Sequence, residues 1–341
     1  MAQVQLYAQA TGNYSSINWN TASGGTGTNY SNPQNGGGTT YYLMPNNYVV
    51  TIDSNAGAGS GSITCDEWTH ASTSDTGYFK MTTGQATVNL TLSNGGLVCN
   101  STSADELLLI SGDCSVTING IVLNGGKTAI SCTGSPSVTI NGQLTHGGSV
   151  YGVSSAGTLV INSGIGTTAV TKNGSGEYAI DACVNVTIIG SVYSTGTVYG
   201  IVSCPANCNI TITNGSGNTA ISGSCPYMLY ASNTGTNTFN IVGNISYSGA
   251  SGISIEFTST GTNTVDIVGN ISNTGAGTAI DNDGSNTTIY IFGNLSQTST
   301  GYCVHQVSGT ITVFGIASGT HPTLGTVTVV SGDANFFGGD M

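Results

Sequence analysis

Three stretches of nine residues are almost the same: TFNIVGNIS (238–246), TVDIVGNIS (264–272) and TIYIFGNLS (288–296). Each reduces to one pattern, apolar-x-apolar-x-Gly-x-apolar. The pattern also reads through Val116, Ile118, Gly120 and Val122, through Val138, Ile140, Gly142 and Leu144, and through Val186, Ile188, Gly190 and Val192. Ile311, Val313 and Gly315 form a worn last copy, and Leu159/Ile161 and Ile210/Ile212 fill the gaps. The second apolar position falls at 118, 140, 161, 188, 212, 241, 267, 291 and 313, in steps of 21 to 29 residues. Between copies lies a second phrase: a small residue, an aliphatic and a variable residue. It reads Ala129-Ile130-Ser131, Gly152-Val153-Ser154, Ala179-Ile180-Asp181, Gly200-Ile201-Val202, Gly252-Ile253-Ser254, Ala279-Ile280-Asp281 and Cys303-Val304-His305.

Alternation with period two is a strand signal and excludes helical repeats. A fixed period of this length marks a stacked array in which each repeat covers its neighbour. The sequence therefore predicts an all-β chain folded as a right-handed parallel β-helix of about ten coils, with two short strands per coil and coils about 4.8 Å apart. Val88/Leu90/Leu92, Leu107–Leu109 and Val49–Asp53 are expected to be earlier rungs. Bare ends of such a stack aggregate, so caps are expected. Residues 1–47 lack the repeat and are assigned as an N-terminal docking or capping module, 48–316 as the β-helix and 317–341 as the C-terminal cap.

Composition narrows the partners. Only 5% of the 341 residues are charged, there is no arginine, and the lysines are Lys80, Lys127 and Lys172; the net charge is −12. Ordinary soluble domains carry about 25% charged residues. Nucleic-acid binding needs clustered cations to release counterions, so it is excluded. The apolar runs are too short to span a bilayer, and the start MAQVQLYAQATG has no basic or apolar region of a signal peptide. The nine cysteines are expected to be mostly buried thiols. Cys204 and Cys208 have the spacing of half a metal site, but no His or second pair follows at ligand distance, so no metal and no cofactor is predicted.

The third position of the second phrase makes a column: Ser131, Ser154, Asp181, Val202, Ser254, Asp281, His305. In that register Asp281 and His305 sit on adjacent coils, and Asp283 shares the face of Asp281. Two carboxylates and a histidine are the groups that general acid–base cleavage of a glycoside requires. The same row is also what a solvent-facing polar ladder with one ion pair would give, and the lack of arginine favours the ladder. Asp66, Glu67, Trp68 and His70 form a second cluster, expected in a loop projecting from an early coil, which would either contact carbohydrate or, in the favoured reading, fold back on the rod. Tyr151, Tyr178, Tyr199 and Tyr302 precede second-phrase strands and predict an aromatic stripe for sugars or a partner protein; Trp19 is counted with them as a candidate binding residue. GGKT at 125–128 lacks the upstream glycine of a phosphate loop.

The run SINWNTASGGTGTNYSNPQNGG followed by YYLMPNNYVVTID (16–53), leading into a Gly/Asn/Thr-rich β-helix, resembles the openings of surface proteins of tailed bacteriophage particles. The resemblance implies a capsid cement or decoration protein, commonly a homotrimer, assembled in the bacterial cytoplasm and docked on the major capsid protein or another virion protein. Its alternative is a tailspike or tail fibre that binds or cleaves host polysaccharide, for which Asp281, Asp283 and His305 are the catalytic candidates.

Overall fold

A computed structural model of the chain describes residues 2–35, 39–53, 56, 62–82, 87–204, 207–232, 234–258, 260–283, 286–319, 327–329 and 333–337. Among these there is no helix. The fold is a parallel β-solenoid of about ten turns, divided into two compact units, Met1–Asn162 and Ser163–Met341.

The repeated phrase turns out to hold two strands, not one, so a coil carries three strands. In the second unit the first face stacks Asn185–Ile189, Cys208–Thr213, Thr236–Val242, Thr262–Val268, Asn286–Phe292 and Thr310–Val313 in parallel. The second face stacks Thr168–Lys172, Ser191–Ser194, Thr219–Gly223, Asn244–Tyr247, Ile271–Asn273 and Leu295–Gln297. The third stacks Ile180–Asp181, Val202–Cys204, Leu229–Ala231, Ile253–Phe257, Thr278–Asn282 and Val304–Gln306. The register of the first face is the one the repeat predicts: Ile118 pairs with Ile140, Ile212 with Ile241, Ile241 with Ile267, Ile267 with Ile291 and Ile291 with Val313. These aliphatic side chains are fully buried, each worth about 1.5–3 kcal/mol of transfer free energy.

The glycine of the phrase is the corner between first and second faces. A Cβ on Gly269 would collide with the carbonyl oxygen of Gly243, one on Gly293 with that of Gly269, and one on Gly315 with that of Gly293. Only glycine lets successive corners approach this closely. The asparagine that follows secures the corner. Asn244 Oδ1 accepts the Asn270 amide at 2.9 Å, Asn270 Oδ1 the Asn294 amide at 2.8 Å, and Asn294 Oδ1 the Ile316 amide at 2.8 Å. A second, buried ladder runs inside: Asn237 Nδ2 donates to Asn263 Oδ1 at 2.8 Å, and Asn263 Nδ2 to Thr287 Oγ1 at 2.9 Å.

At several second-face strands the last residue turns inward and satisfies the backbone of the next corner, as buried polar groups must. Asn273 Nδ2 donates to Gly277 O at 2.6 Å and Tyr302 O at 2.8 Å, Tyr247 Oη to Ser251 O at 2.9 Å, and Lys172 Nζ to Gly174 O at 2.6 Å. Lys172 is fully buried.

Strands within residues 1–47 pair in parallel with strands that follow them. Ala2–Ala8 pairs in parallel with Thr39–Met44, which pairs with Ser62–Thr69, which pairs with Thr87–Cys99. Gly12–Asn13 likewise pairs with Val49–Thr51. These are early coils built on aromatics and long side chains instead of the Ile-x-Gly phrase, which is why the repeat does not reveal them. The segment also carries a cover: Trp19–Asn20 pairs antiparallel with Ala2–Ala8 and with Asn29–Tyr30. At the other end, Ala317–Gly319, Val327–Val329 and Asp333–Phe336 continue the three faces; 320–326, 330–332 and 338–341 of the expected C-terminal cap lie outside the described residues. Cys204 and Cys208 are joined in a disulfide with Cα atoms 6.1 Å apart, which corrects both their reading as thiols and their candidacy as half a metal site. The other seven cysteines are buried and outside any disulfide.

Candidate functional site: an acidic and aromatic row on the third face

On the third face, Ile180, Val202, Leu229, Ile255, Ile280 and Val304 point into the core and are fully buried. The residue after each points to the opposite side of the strand. That side reads Asp181, Ser203, Tyr230, Glu256, Asp281, His305, each the register partner of the next. The predicted neighbours Asp281 and His305 are thus brought together, and His305 Nδ1 lies 2.8 Å from Asp281 Oδ1. Two predicted positions are corrected. Val202 belongs to the core and Ser203 takes its place. Ser254 is displaced by Glu256, because Ile255 and not Ile253 fills the core position against Ile280. The run Ile253-Ser254-Ile255 offers two aliphatics of equal spacing parity, and the preceding Gly252 imitates the small residue of the phrase.

Glu256 was therefore missed, although it is electrostatically the most unusual group of the row. It is 9% exposed and makes no hydrogen bond among the described residues. Burial, with Asp281 and Asp283 nearby, pushes its carboxyl up to about 7. Burial also raises Asp281, with the His305 hydrogen bond and charge pulling against it. One donor atom from each of Asp281, Asp283 and His305 lies within 4.8 Å of the others. No Lys or Arg follows Lys172 in the sequence, so none from the C-terminal half of the chain balances these carboxyls.

Aromatic rings flank the acids. Tyr302 stacks on His305 at 5.6 Å between centroids. Tyr178 lies 5.2 Å from Tyr199 and 6.3 Å from Tyr230, the latter nearly parallel, and Tyr227 lies 5.7 Å from Tyr230. Tyr227 has φ of 57°, a conformation costly for an aromatic residue. Tyr178 is itself buried, and burial raises its hydroxyl further than any neighbour does. Tyr227 and Tyr230 were not among the predicted residues. Tyr151 belongs to the other unit, where its carbonyl accepts Asn124 Nδ2 at 2.5 Å.

No family model matches the sequence, and comparison with curated proteins and with solved structures returned no match.

Trp19 and Trp68 are core residues. Trp19 is fully buried between Tyr14, at 5.2 Å, and Phe79, at 6.4 Å, so it presents no ring for binding. Asp66, Glu67 and Trp68 lie in the strand Ser62–Thr69, not in a projecting loop. Trp68 stacks on Phe79 at 4.0 Å, and Asp66 accepts Asn35 Nδ2 at 3.1 Å. Lys127 of the GGKT run pairs with Asp105 at 2.9 Å, as an ordinary surface ion pair.

Proposed function

We propose that the protein is a structural component of a phage particle surface, a cement or decoration protein that docks on the major capsid protein and presents a stiff β-solenoid. The observation that carries the reading is the parallel register of stacked strands, with the corner and internal asparagine ladders of the last coils. The coils from Asn237 to Ile316 are hydrogen-bonded to one another through backbone, corner and core at once, which suits a particle that cannot repair itself outside a cell. An uncharged polar coat limits adhesion between particles, and the opening of the chain resembles such proteins. The first coil supplies the docking face: Gln3, Val4, Gln5, Thr21, Tyr30 and Tyr42 line a shallow uncharged groove, with Gln3 Nε2 donating to Tyr42 Oη at 3.1 Å. Homotrimers and exposure on the virion belong to the same proposal. The test is rebinding of purified protein to particles stripped of it. A double variant, Gln5→Ala with Tyr30→Ala, is expected to lose rebinding; undiminished rebinding would reject this docking face.

A second reading is favoured by one feature, the run of tyrosines that continues into carboxyls and a histidine on a single face. It is a tailspike or fibre that binds or cleaves host polysaccharide, with Asp281, Asp283 and His305 at the centre. Release of reducing ends from host envelope glycan, abolished by Asp281→Ala, would establish it in place of the first.

A further inference from the structure

Whatever particle the protein serves, we propose that a ridge of phenylalanines on the outside of the first face is the surface through which a second copy of this chain associates, its own ridge against this one. Ile291 and Val313 are fully buried, so the residue after each points outward. Val242, Val268 and Phe292 are register partners on successive strands. The Phe314 amide donates to Ile291 O at 2.8 Å and the Phe337 amide to Val313 O at 3.0 Å, which continues the row coil by coil. The rings of Phe292 and Phe314 stack 4.6 Å apart with planes 1° from parallel, and those of Phe314 and Phe337 lie 5.4 Å apart at 14°. Stacked as they are, the three keep 47%, 44% and 69% of their surface exposed. Tyr290 lies two residues before Phe292 on the same side of the strand, and Ile316 lies two residues past Phe314 across the glycine corner. Among the described residues ten large apolar side chains are exposed, and six of them are Val268, Tyr290, Phe292, Phe314, Ile316 and Phe337.

Area, spacing and charge together name a second copy as the occupant. With roughly 200 Å2 for a whole aromatic side chain, these six side chains leave on the order of 500 Å2 open. That matches the largest apolar patches of ordinary monomers, which are often functional. Two such patches face to face remove about 1,000 Å2 from water, the least that a stable protein interface buries. The rings recur once per coil. Another copy carries the same ladder with the same rise, so ring can meet ring along the whole row. The chain has a net charge of −12 and repels its own kind over its acidic surfaces. Residues 284 to 332 nevertheless contain no Asp, Glu, Lys or Arg. The ridge is a place where two such chains meet without bringing carboxylates together, with Asp266, the register partner of Tyr290, at its margin. A basic partner would find little counter-charge here.

The test is sedimentation velocity with light scattering on purified full-length protein over a concentration series. No particle is present, so the result is separate from the rebinding test of the docking groove. The wild type is expected as a discrete oligomer at tens of micromolar. Phe292→Ser with Phe314→Ser should weaken association at least hundredfold, because buried aromatic residues carry most of the binding energy of an interface. Both rings are exposed in the single chain, so the double variant should fold as wild type, checked by circular dichroism. Phe337→Ser, at the most exposed ring, is a milder second variant and should weaken association at least fivefold. Tyr193→Ser, at an exposed aromatic of the second face, should leave the oligomer unchanged. A monomeric wild type, the result if a different protein or another segment of this chain covers the ridge, would overturn the proposal. So would an oligomer that the folded ridge variants leave intact, or one that Tyr193→Ser weakens as much as they do.

Discussion

The carbonyl oxygen of Gly243 lies where a Cβ on Gly269 would have to go. The same contact recurs at Gly293 and Gly315, each against the corner of the coil before it. Gly269→Ala should therefore destabilise the fold by roughly 2–4 kcal/mol, because backbone on both sides must shift. Gly24→Ala is the matched control, since a Cβ there meets nothing within 4 Å; it should stay within about 0.5 kcal/mol. Denaturant unfolding of both variants decides the matter, and equal stability would mean that the corners have room to spare.

The internal ladder makes a second prediction. Asn263→Ala removes the acceptor of Asn237 and the donor to Thr287, both buried. A loss of about 2–4 kcal/mol is expected from two broken buried bonds. Asn141→Ala, which removes only an exposed bond to Asn119, should cost less than about 1 kcal/mol. Amide exchange around residues 237, 263 and 287 should quicken in the first variant and not in the second.

His70 sets a pH dependence. The Ser101 amide donates to its Nδ1 at 3.3 Å, so the proton sits on Nε2, which donates to Gly77 O at 3.2 Å. Burial lowers the imidazole below its usual 6.5, against an opposing pull from Asp75. The unfolded chain thus takes up its proton first as pH falls. Stability contributed by neutral His70 is complete above about 6.5 and declines below it, until the folded form also protonates. Between pH 7.5 and 5 the raised carboxyl of Glu256 contributes in the opposite sense, so the His70 part is read as the difference in unfolding free energy between wild type and His70→Gln, which should shift against the wild type as pH falls. An identical slope in the variant would assign the acid sensitivity elsewhere.

Deleting residues 1–44 is expected to unfold the first coils instead of releasing a separate module. The deletion removes Leu6 and Leu43, partners in the ladder, and strips Tyr14 and Trp19 from Trp68 and Phe79. Trp68 emission should shift to the red, with loss of near-ultraviolet dichroism. A truncated chain that keeps a buried Trp68 would restore the module to independence.

The first-face register was legible because its apolar positions alternate with polar ones and recur beside a glycine. The same glycine concealed the third strand, since a residue inside an alternating run looks like strand interior until its carbonyl is seen against the next corner. Asp281 and His305 were legible because Ala279-Ile280 and Cys303-Val304 leave one choice of core aliphatic. Glu256 was not, because Ile253 and Ile255 compete and only packing against Ile280 decides. Trp19 looked like a ligand platform because aromatic residues in a glycine-rich segment suit both core and surface, and sequence alone does not show which. The Cys204–Cys208 link, with Cα atoms 6.1 Å apart, is not revealed by a spacing of four.

The buried ammonium of Lys172 has a consequence for survival in a hostile medium. Trypsin-like proteases cut after lysine or arginine and must draw the chain into an extended groove. Lys172 is sealed inside its coil, and none of the 169 residues that follow (341 − 172) is a lysine or arginine. From that point to the end, such an enzyme finds no bond to hydrolyse while the coils hold.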